Sequence, residues 1–371
     1  MRVGDSADAA AALSRFAVEG SLASLSPHAS GLINRSWVSA FDTPNGRRLF
    51  LLQQINRHVF RRPELVMENM VRVTRHVASC LARKGVSDLD RRVLSLVPSR
   101  ENGSHHVDAA GETWRLVRWI EGARSSERAA TEAEARKTAR AFGGFLRQLL
   151  DLPGPRLHET IPGFHDTPAR LAALERVVGR DPAGRVASCR AEVAALLDRR
   201  PLAFALADRA ARGELGERPV HNDAKIANVL RDEVTGEALA VVDLDTVMPG
   251  LALHDFGDLV RSTVSDSAED ETDPCRVVVR VPVFEALARG FAEGAGDALS
   301  PLERSLLATA AEVITYEQAL RFLTDHLDGD RYYRIERPGH NLDRARAQLR
   351  LIESLEEARP ALSRSLLAAP R

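Results

Sequence analysis

The sequence predicts an α+β chain in two parts, a small strand-rich N-terminal lobe over residues 1–121 and a larger helical C-terminal lobe over residues 122–371. Three observations lead there. Asn45-Gly46 lies between two strand-like runs, a strong short hairpin signal. Residues Pro63–Arg83 switch to helical period, with Leu65, Val66, Met70, Val73 and Val77 on one face. From Arg128 onward the chain is almost wholly helical in pattern. Strands first and helices afterwards define the α+β class, and 371 residues exceed what one compact core usually holds.

The elements follow in order. Ala9–Glu19 reads as a short helix stopped by Gly20, and Ser30–Val38 as strand, turn and strand. Arg48–Ile55 is the next strand, and the helix Pro63–Arg83 ends at Gly85, a residue suited to a left-handed cap. Strands at Val93–Val97 and Thr113–Ile120 flank a turn at Asn102-Gly103, and Glu121-Gly122 reads as a hinge. Helices are then expected at Ala130–Leu150, Pro168–Gly179, Gly184–Arg199, Pro201–Glu214, Pro282–Gly290, Pro301–Asp328 and Leu342–Ala358. A small hairpin is set among them at 220–245.

Composition excludes several classes. Lys and Arg number 51 against 52 Asp and Glu, a net charge of −1, which gives no basic excess for nucleic acid or an anionic membrane. No apolar run is long enough to span a bilayer. The three cysteines, Cys80, Cys189 and Cys275, are far apart and form no metal or disulfide motif in sequence. A cytoplasmic enzyme with reduced thiols, monomer or homodimer, is the expectation.

The chemistry is carried by His221-Asn222-Asp223-Ala224-Lys225-Ile226-Ala227-Asn228, followed by Ala240-Val241-Val242-Asp243-Leu244-Asp245. Protein kinases use H-R-D-x-x-x-x-N and then a second Asp for metal. Phosphoryl transfer needs positioning and cancellation of negative charge more than covalent help. Asp223 is therefore the expected base, and Asn228 and Asp243 supply hard oxygens for Mg²⁺ against the phosphates of ATP. A turn at Asp232–Gly236 and a β-run at Ala238–Val242 would bring Asp243 back beside Asn228. A literal Asp255-Phe256-Gly257 lies 32 residues after Asp223 with no strand before it, so the metal is assigned to Asp243. Asp255 is given a supporting role at the catalytic loop, as are His221 and Asp245; a pair of solvated loop carboxylates is the other reading of Asp255 and Asp258. The architecture is that of a two-lobed, protein-kinase-like fold, with ATP between the lobes.

Other candidates are weaker. Gly31 could let backbone N–H groups approach a phosphate, and Asn34 could donate to one. The strand Leu51–Ile55 lacks the lysine that kinases place there; Gln53 or Gln54 could donate a neutral hydrogen bond, and Glu64 or Glu68 could take the place of the carboxylate such a lysine pairs with. The backbone at Trp119, Ile120 and Glu121 is placed at the adenine. His158 and His165 lie in a polar loop that either approaches the acceptor or caps the next helix. Arg321 sits in an apolar helical stripe, where it either snorkels or faces the acceptor, and Tyr332 and Tyr333 offer flat faces suited to a sugar ring.

Taken together, the strings Leu52–Asn56, Met67–Asn69, Glu159–Thr167, His221–Asp223, Val242–Gly250, Asp255–Asp258 and Arg321–Asp325 resemble those of the N-acetylhexosamine 1-kinases. These are a branch of the aminoglycoside-phosphotransferase-like enzymes, and the resemblance runs through nearly the whole chain. It implies transfer of the γ-phosphoryl of ATP to the anomeric hydroxyl of N-acetylglucosamine or N-acetylgalactosamine. It also implies Asp223 as base, Asn228 and Asp243 as magnesium ligands, and Arg321 and Tyr332 at the sugar. Relatives tend to carry Gln-Arg where this chain has Gln53-Gln54, a cation fewer near the nucleotide. The same chemistry on another sugar, an amino alcohol or an aminoglycoside is the near alternative, and a nucleotide-binding pseudokinase is the alternative of another class.

Overall fold

The computed structural model describes residues 4–28, 33–101 and 103–368. Gly31, expected over the phosphates, lies outside them, as does Asn102 of the expected turn. Among these residues the chain is mixed α+β, with its antiparallel sheet in the N-terminal region and helices following. It divides into two compact units, and the division does not follow the chain. The first comprises Met1–Arg124, Asp151–Pro162 and Leu230–Met248; the second comprises Ser125–Leu150, Gly163–Val229 and Pro249–Arg371.

In the first unit, β1 (Ser21–His28), β2 (Arg35–Thr43), β3 (Gly46–Gln54), β4 (Leu96–Val97), β5 (His106–Val107) and β6 (Thr113–Arg118) form one sheet in the order β1-β2-β3-β6-β4, with β5 pairing β6. The β2–β3 turn pairs Thr43 with Gly46, and Gly46 takes the positive φ that such a turn demands. Helix α1 (Gly4–Leu13) covers one face; Leu13, Phe16, Trp37, Phe50, Leu52, Trp114 and Leu116 form that core. Helix α1 is shorter than its sequence pattern, because Phe16 leaves it to bridge Ser99 in extended form. Helix α2 (Pro63–Arg83) begins on a proline and is followed by the short α3 (Leu89–Arg92). β7 (Ala123–Arg124) pairs with β9 (Val229–Asp232), which pairs with β10 (Ala238–Val241); β8 (Arg218–Val220) lies before them in the chain.

In the second unit, β8 pairs with β11 (Met248–Gly250). The helices are α4 (Glu132–Gln148), α5 (Thr167–Arg180), α6 (Arg190–Asp198), α7 (Pro201–Phe204), α8 (Ala207–Ala211), α9 (Ala252–Thr263), α10 (Val281–Ala295), α11 (Pro301–Ser305), α12 (Leu307–Leu327) and α13 (His340–Ala368). Helix α12 is buried nearly all round, the mark of a central helix, against Leu171, Leu174, Leu196 and Ile352. Helices α4 and α10 meet backbone to backbone: a Cβ on Gly290 or Gly294 would sit 2.2 Å from the carbonyl oxygen of Arg136 or Arg140.

Helix α9 is the main departure from the sequence reading. No helix is expected there from the sequence, and Gly257 weakens the helical signal. The glycine is there for contact instead: a Cβ on Gly257 would meet the Ala310 carbonyl oxygen at 2.5 Å and Ile314 Cγ1 at 2.6 Å. Asp255 and Asp258 are consequently buried helix residues and not solvated loop carboxylates.

Candidate active site

The segment after β8 cannot run straight. His221 is fully buried, with its ring edge against Phe142 and Phe145. The next residue, Asn222, turns into the left-handed region at φ 62°. Asp255 on α9 accepts from the backbone N–H of His221 at 2.9 Å and of Asn222 at 2.6 Å, fixing the reversal. Burial pushes the Asp255 carboxyl up, against the pull of His221 and of these two donors. Gly250 completes the packing, since a Cβ there would lie 2.6 Å from Asn222 Oδ1. Asp255 thus acts on the backbone of the loop.

That bend presents Asp223, whose side chain is 22% exposed. Lys225 Nζ lies 2.7 Å from its Oδ1. Asn228 donates through Nδ2 to the Asp223 carbonyl oxygen at 2.8 Å and to Oδ2 at 3.3 Å. Burial opposes ionisation of Asp223, but the ammonium of Lys225, with His221 and Arg261 further off, outweighs it and lowers the pKa. Lys225 was not singled out in the sequence; two residues beyond Asp223, it brings a cation to that carboxylate. Because the Asn228 amide nitrogen faces Asp223, its amide oxygen is turned away from that carboxylate.

The first unit holds Asp243 and Asp245. Asp243 is solvent-exposed and left-handed at φ 59°, a conformation that costs energy for a non-glycine residue and tends to occur at functional sites. Two residues on, Asp245 is buried and clamped. Arg115 Nη1 donates to its Oδ1, Arg115 Nη2 to its Oδ2 at 3.0 Å, and Asn34 Nδ2 to Oδ2 at 2.6 Å. Arg115 is the cross-strand partner of Gln53 and donates to Gln53 Oε1 at 2.9 Å, while Gln53 Nε2 donates to Ser36. Gln53 and Asn34, the residues expected at the phosphates, thus have partners within the first unit, and Asn34 together with Arg115 braces Asp245.

Helix α2 is tied in by Asn69, fully buried, which donates to the carbonyls of Val247 and His158. Glu68 pairs with His158 and Glu64 with Arg62, so neither carboxylate takes the place first considered for it. At the expected hinge, the Trp119 N–H donates to Leu49 and the Glu121 carbonyl accepts from Arg91; Ile120 is buried.

Beyond Asp223 in the second unit runs a buried polar chain. His165 Nε2 lies 2.9 Å from the Asn222 carbonyl oxygen and Nδ1 lies 2.9 Å from Glu317 Oε1, while Thr167 donates to Oε2. With an acceptor at each ring nitrogen, the imidazole carries both protons. Burial disfavours that charge, but the Glu317 carboxylate raises the His165 pKa overall. Glu317 is likewise penalised by burial, yet His165 holds it down at about 2. The loop residue Asp166 caps α5, the second of the two readings of this segment. Next to His165, Phe164 lies under the Arg321 guanidinium at 5.3 Å, with the Tyr333 ring at 5.6 Å on it as well. Tyr332 is exposed and packs edge-on against Tyr333.

The His165–Glu317 pair has a pH signature. His165, raised above its ordinary 6.5, contributes stability that is complete below pH 6.5 and lost as pH rises through its folded value. Glu317, depressed from 4.5 to about 2, contributes stability that is complete above pH 4.5 and lost as pH falls towards 2. The stability gap between wild type and Glu317→Gln, from urea melts, should therefore be widest between pH 4.5 and 6.5. A gap independent of pH would show that no ion pair is present.

The second unit thus presents Asp223 with Lys225 and Asn228 on a bent loop, and the first presents Asp243 after a β-hairpin. The chain matches the model of the phosphotransferase enzyme family over residues 24–302 and belongs to that family. Among solved structures it is similar to an aminoglycoside phosphotransferase from Alicyclobacillus acidocaldarius (14% identity, 96% of each chain covered, TM-score 0.61). It is also similar to a choline kinase from Cryptosporidium parvum (11% identity, 93% of this chain and 91% of that one, TM-score 0.55). A third is a spectinomycin phosphotransferase bound to ADP and spectinomycin (11% identity, 90% and 93% covered, TM-score 0.55). At these identities the likeness establishes the fold, which is aminoglycoside phosphotransferase-like and protein-kinase-like. No helix among the described residues is long and apolar enough to cross a membrane.

Proposed function

We propose that this phosphotransferase moves the γ-phosphoryl group of ATP to the anomeric hydroxyl of an N-acetylhexosamine. Asp223 accepts the proton of the attacking hydroxyl, and its low pKa keeps it ionised and ready. Lys225 holds that carboxylate from one side and carries positive charge to the phosphoryl being transferred. Asn228 and Asp243 are the residues assigned to Mg²⁺, and each offers a hard oxygen of the kind it takes: an amide oxygen turned from Asp223, and an exposed carboxylate. When bound, Mg²⁺ draws charge from the phosphates. The segment Trp119–Glu121 is assigned to the nucleotide.

The observation that carries the acceptor class is the charge around Arg321. Its guanidinium lies on Phe164 and Tyr333, one residue from His165 and so from the Asn222 carbonyl. The neighbouring carboxylates are already engaged. Glu317 faces protonated His165, and Asp325 accepts from the backbone N–H of Arg331, Tyr332 and Tyr333. Arg321 and protonated His165 are balanced by Glu317 and Asp325, and a charge-balanced patch with aromatic faces suits a neutral, hydroxylated ring better than a polycationic aminoglycoside.

A screen of ATP consumption with N-acetylhexosamines, neutral hexoses, aminoglycosides, choline and ethanolamine tests this, with phosphorus NMR of the product. Turnover with N-acetylglucosamine or N-acetylgalactosamine and a sugar 1-phosphate product are expected. Turnover confined to amines would reject the acceptor while leaving the transfer chemistry intact.

A further inference from the structure

Outside this machinery the first unit carries a second group of chemically capable side chains. His76 and Cys80 stand one helical turn apart on α2, near its C-terminal end, and Asp151 comes from the segment after α4. His76 Nε2 is 3.4 Å from Cys80 Sγ and 3.1 Å from Asp151 Oδ1, and the three potential donor atoms all lie within 4.8 Å of one another.

This is not the arrangement of a nucleophilic triad, in which thiol and carboxylate use opposite ring nitrogens. Here sulfur and oxygen converge on the same nitrogen, and a single proton on Nε2 cannot serve both well. Convergence on one point is what a cation requires. With bond lengths near 2.3 Å to sulfur and 2.0–2.1 Å to nitrogen or oxygen, tetrahedral zinc puts sulfur and nitrogen about 3.6 Å apart, and nitrogen and oxygen about 3.3 Å apart. The observed 3.4 and 3.1 Å sit close to these two edges, and the third, sulfur to oxygen, is within 4.8 Å.

The surroundings agree. Arg83 donates to Cys80 Sγ at 3.2 Å, so the sulfur already acts as an acceptor, and it lies 3.9 Å from Asp151 Oδ2. Cys80 and Arg83 lie at the last turns of α2, where the helix dipole favours positive charge. His76 and Cys80 are buried, whereas the Asp151 side chain is 72% exposed, so the group opens to solvent on one side.

We propose that His76, Cys80 and Asp151 form a binding site for zinc or a similar borderline divalent ion, with a fourth position open to water. On binding, Cys80 loses its thiol proton to solvent, His76 ligates through the lone pair of Nε2 with its proton on Nδ1, and Asp151 ligates as the carboxylate. The ion pins the end of α2 to the chain at Asp151. No residue proposed for phosphoryl transfer takes part.

Cobalt(II), added alone to the metal-stripped full-length protein, is the probe. One equivalent should produce the near-ultraviolet sulfur-to-cobalt band and the intense visible bands of a tetrahedral site. Cys80→Ser and His76→Gln should abolish them, and Cys275→Ser should keep them. Asp151→Ala alters an exposed side chain and so keeps the fold; it should weaken cobalt binding at least about tenfold, the lower end of what loss of an outer-sphere partner costs. Absence of the sulfur band in wild type, its persistence in Cys80→Ser, its loss in Cys275→Ser, or unchanged affinity in Asp151→Ala would overturn the site.

Discussion

Asp223→Asn should lower turnover by about 10²–10⁴-fold, the usual contribution of a general base. The asparagine keeps the shape of the side chain and a partner for Asn228, so the loop held by Asp255 should stay folded. What it loses is the ability to take a proton. The charge of Lys225 also loses its counterpart, and this sharpens the expected pattern. Nucleotide binding, measured by calorimetry with a non-hydrolysable ATP analogue, should persist or tighten slightly while kcat collapses. If kcat is unchanged, Asp223 is not the base. If nucleotide binding disappears along with kcat, the residue's role is structural.

Asp245→Ala is the substitution expected to cost most in stability. It leaves the Arg115 guanidinium, only 2% exposed, without its carboxylate. Breaking one side of a buried ion pair costs about 3–5 kcal/mol, most of it for the abandoned charge. Urea melts should register that loss directly. The double variant Arg115→Met/Asp245→Leu removes both charges, and apolar replacements of buried pairs are often neutral in stability. Its melt should recover most of the loss, yet its activity should remain low, because Asp243 would no longer be braced from two residues away. Full recovery of activity in the double variant would mean that the clamp serves the fold alone.

The sequence made some of this readable and hid the rest, for physical reasons. The span from His221 to Asn228 and the aspartates at 243 and 245 stand out in the sequence because the proposed chemistry dictates residue type and spacing together. The helix Pro63–Arg83 is visible because its period is clean and proline and glycine mark its ends. Arg115 was invisible. Nothing about an arginine in Thr113–Arg118 signals a role until the β3–β6 register places it across from Gln53. The strand beside β3 does carry a cation, and that cation is buried on Asp245. Helix α9 was missed for a related reason: Gly257 weakens the local helical signal for the sake of a contact with Ala310, far away in sequence. Long-range requirements leave single-residue traces that mimic turns. The grouping of His76, Cys80 and Asp151 shows the same limit, since Asp151 stands 71 positions beyond Cys80.

Helix α12 is enclosed on nearly every side, and it carries both Glu317 and Arg321. An element so tightly surrounded has little room to slide or tilt without disturbing the whole C-terminal core. Evolution, or an engineer, wishing to change the molecule being phosphorylated would gain little by moving this scaffold. With the acceptor at Arg321 as proposed, the workable routes are exchange of the side chains this helix projects and remodelling of the short stretch that carries Tyr332 and Tyr333. Divergence in acceptor preference among proteins built this way should therefore be recorded in a few point replacements and in that connecting segment, on a helical frame that barely shifts.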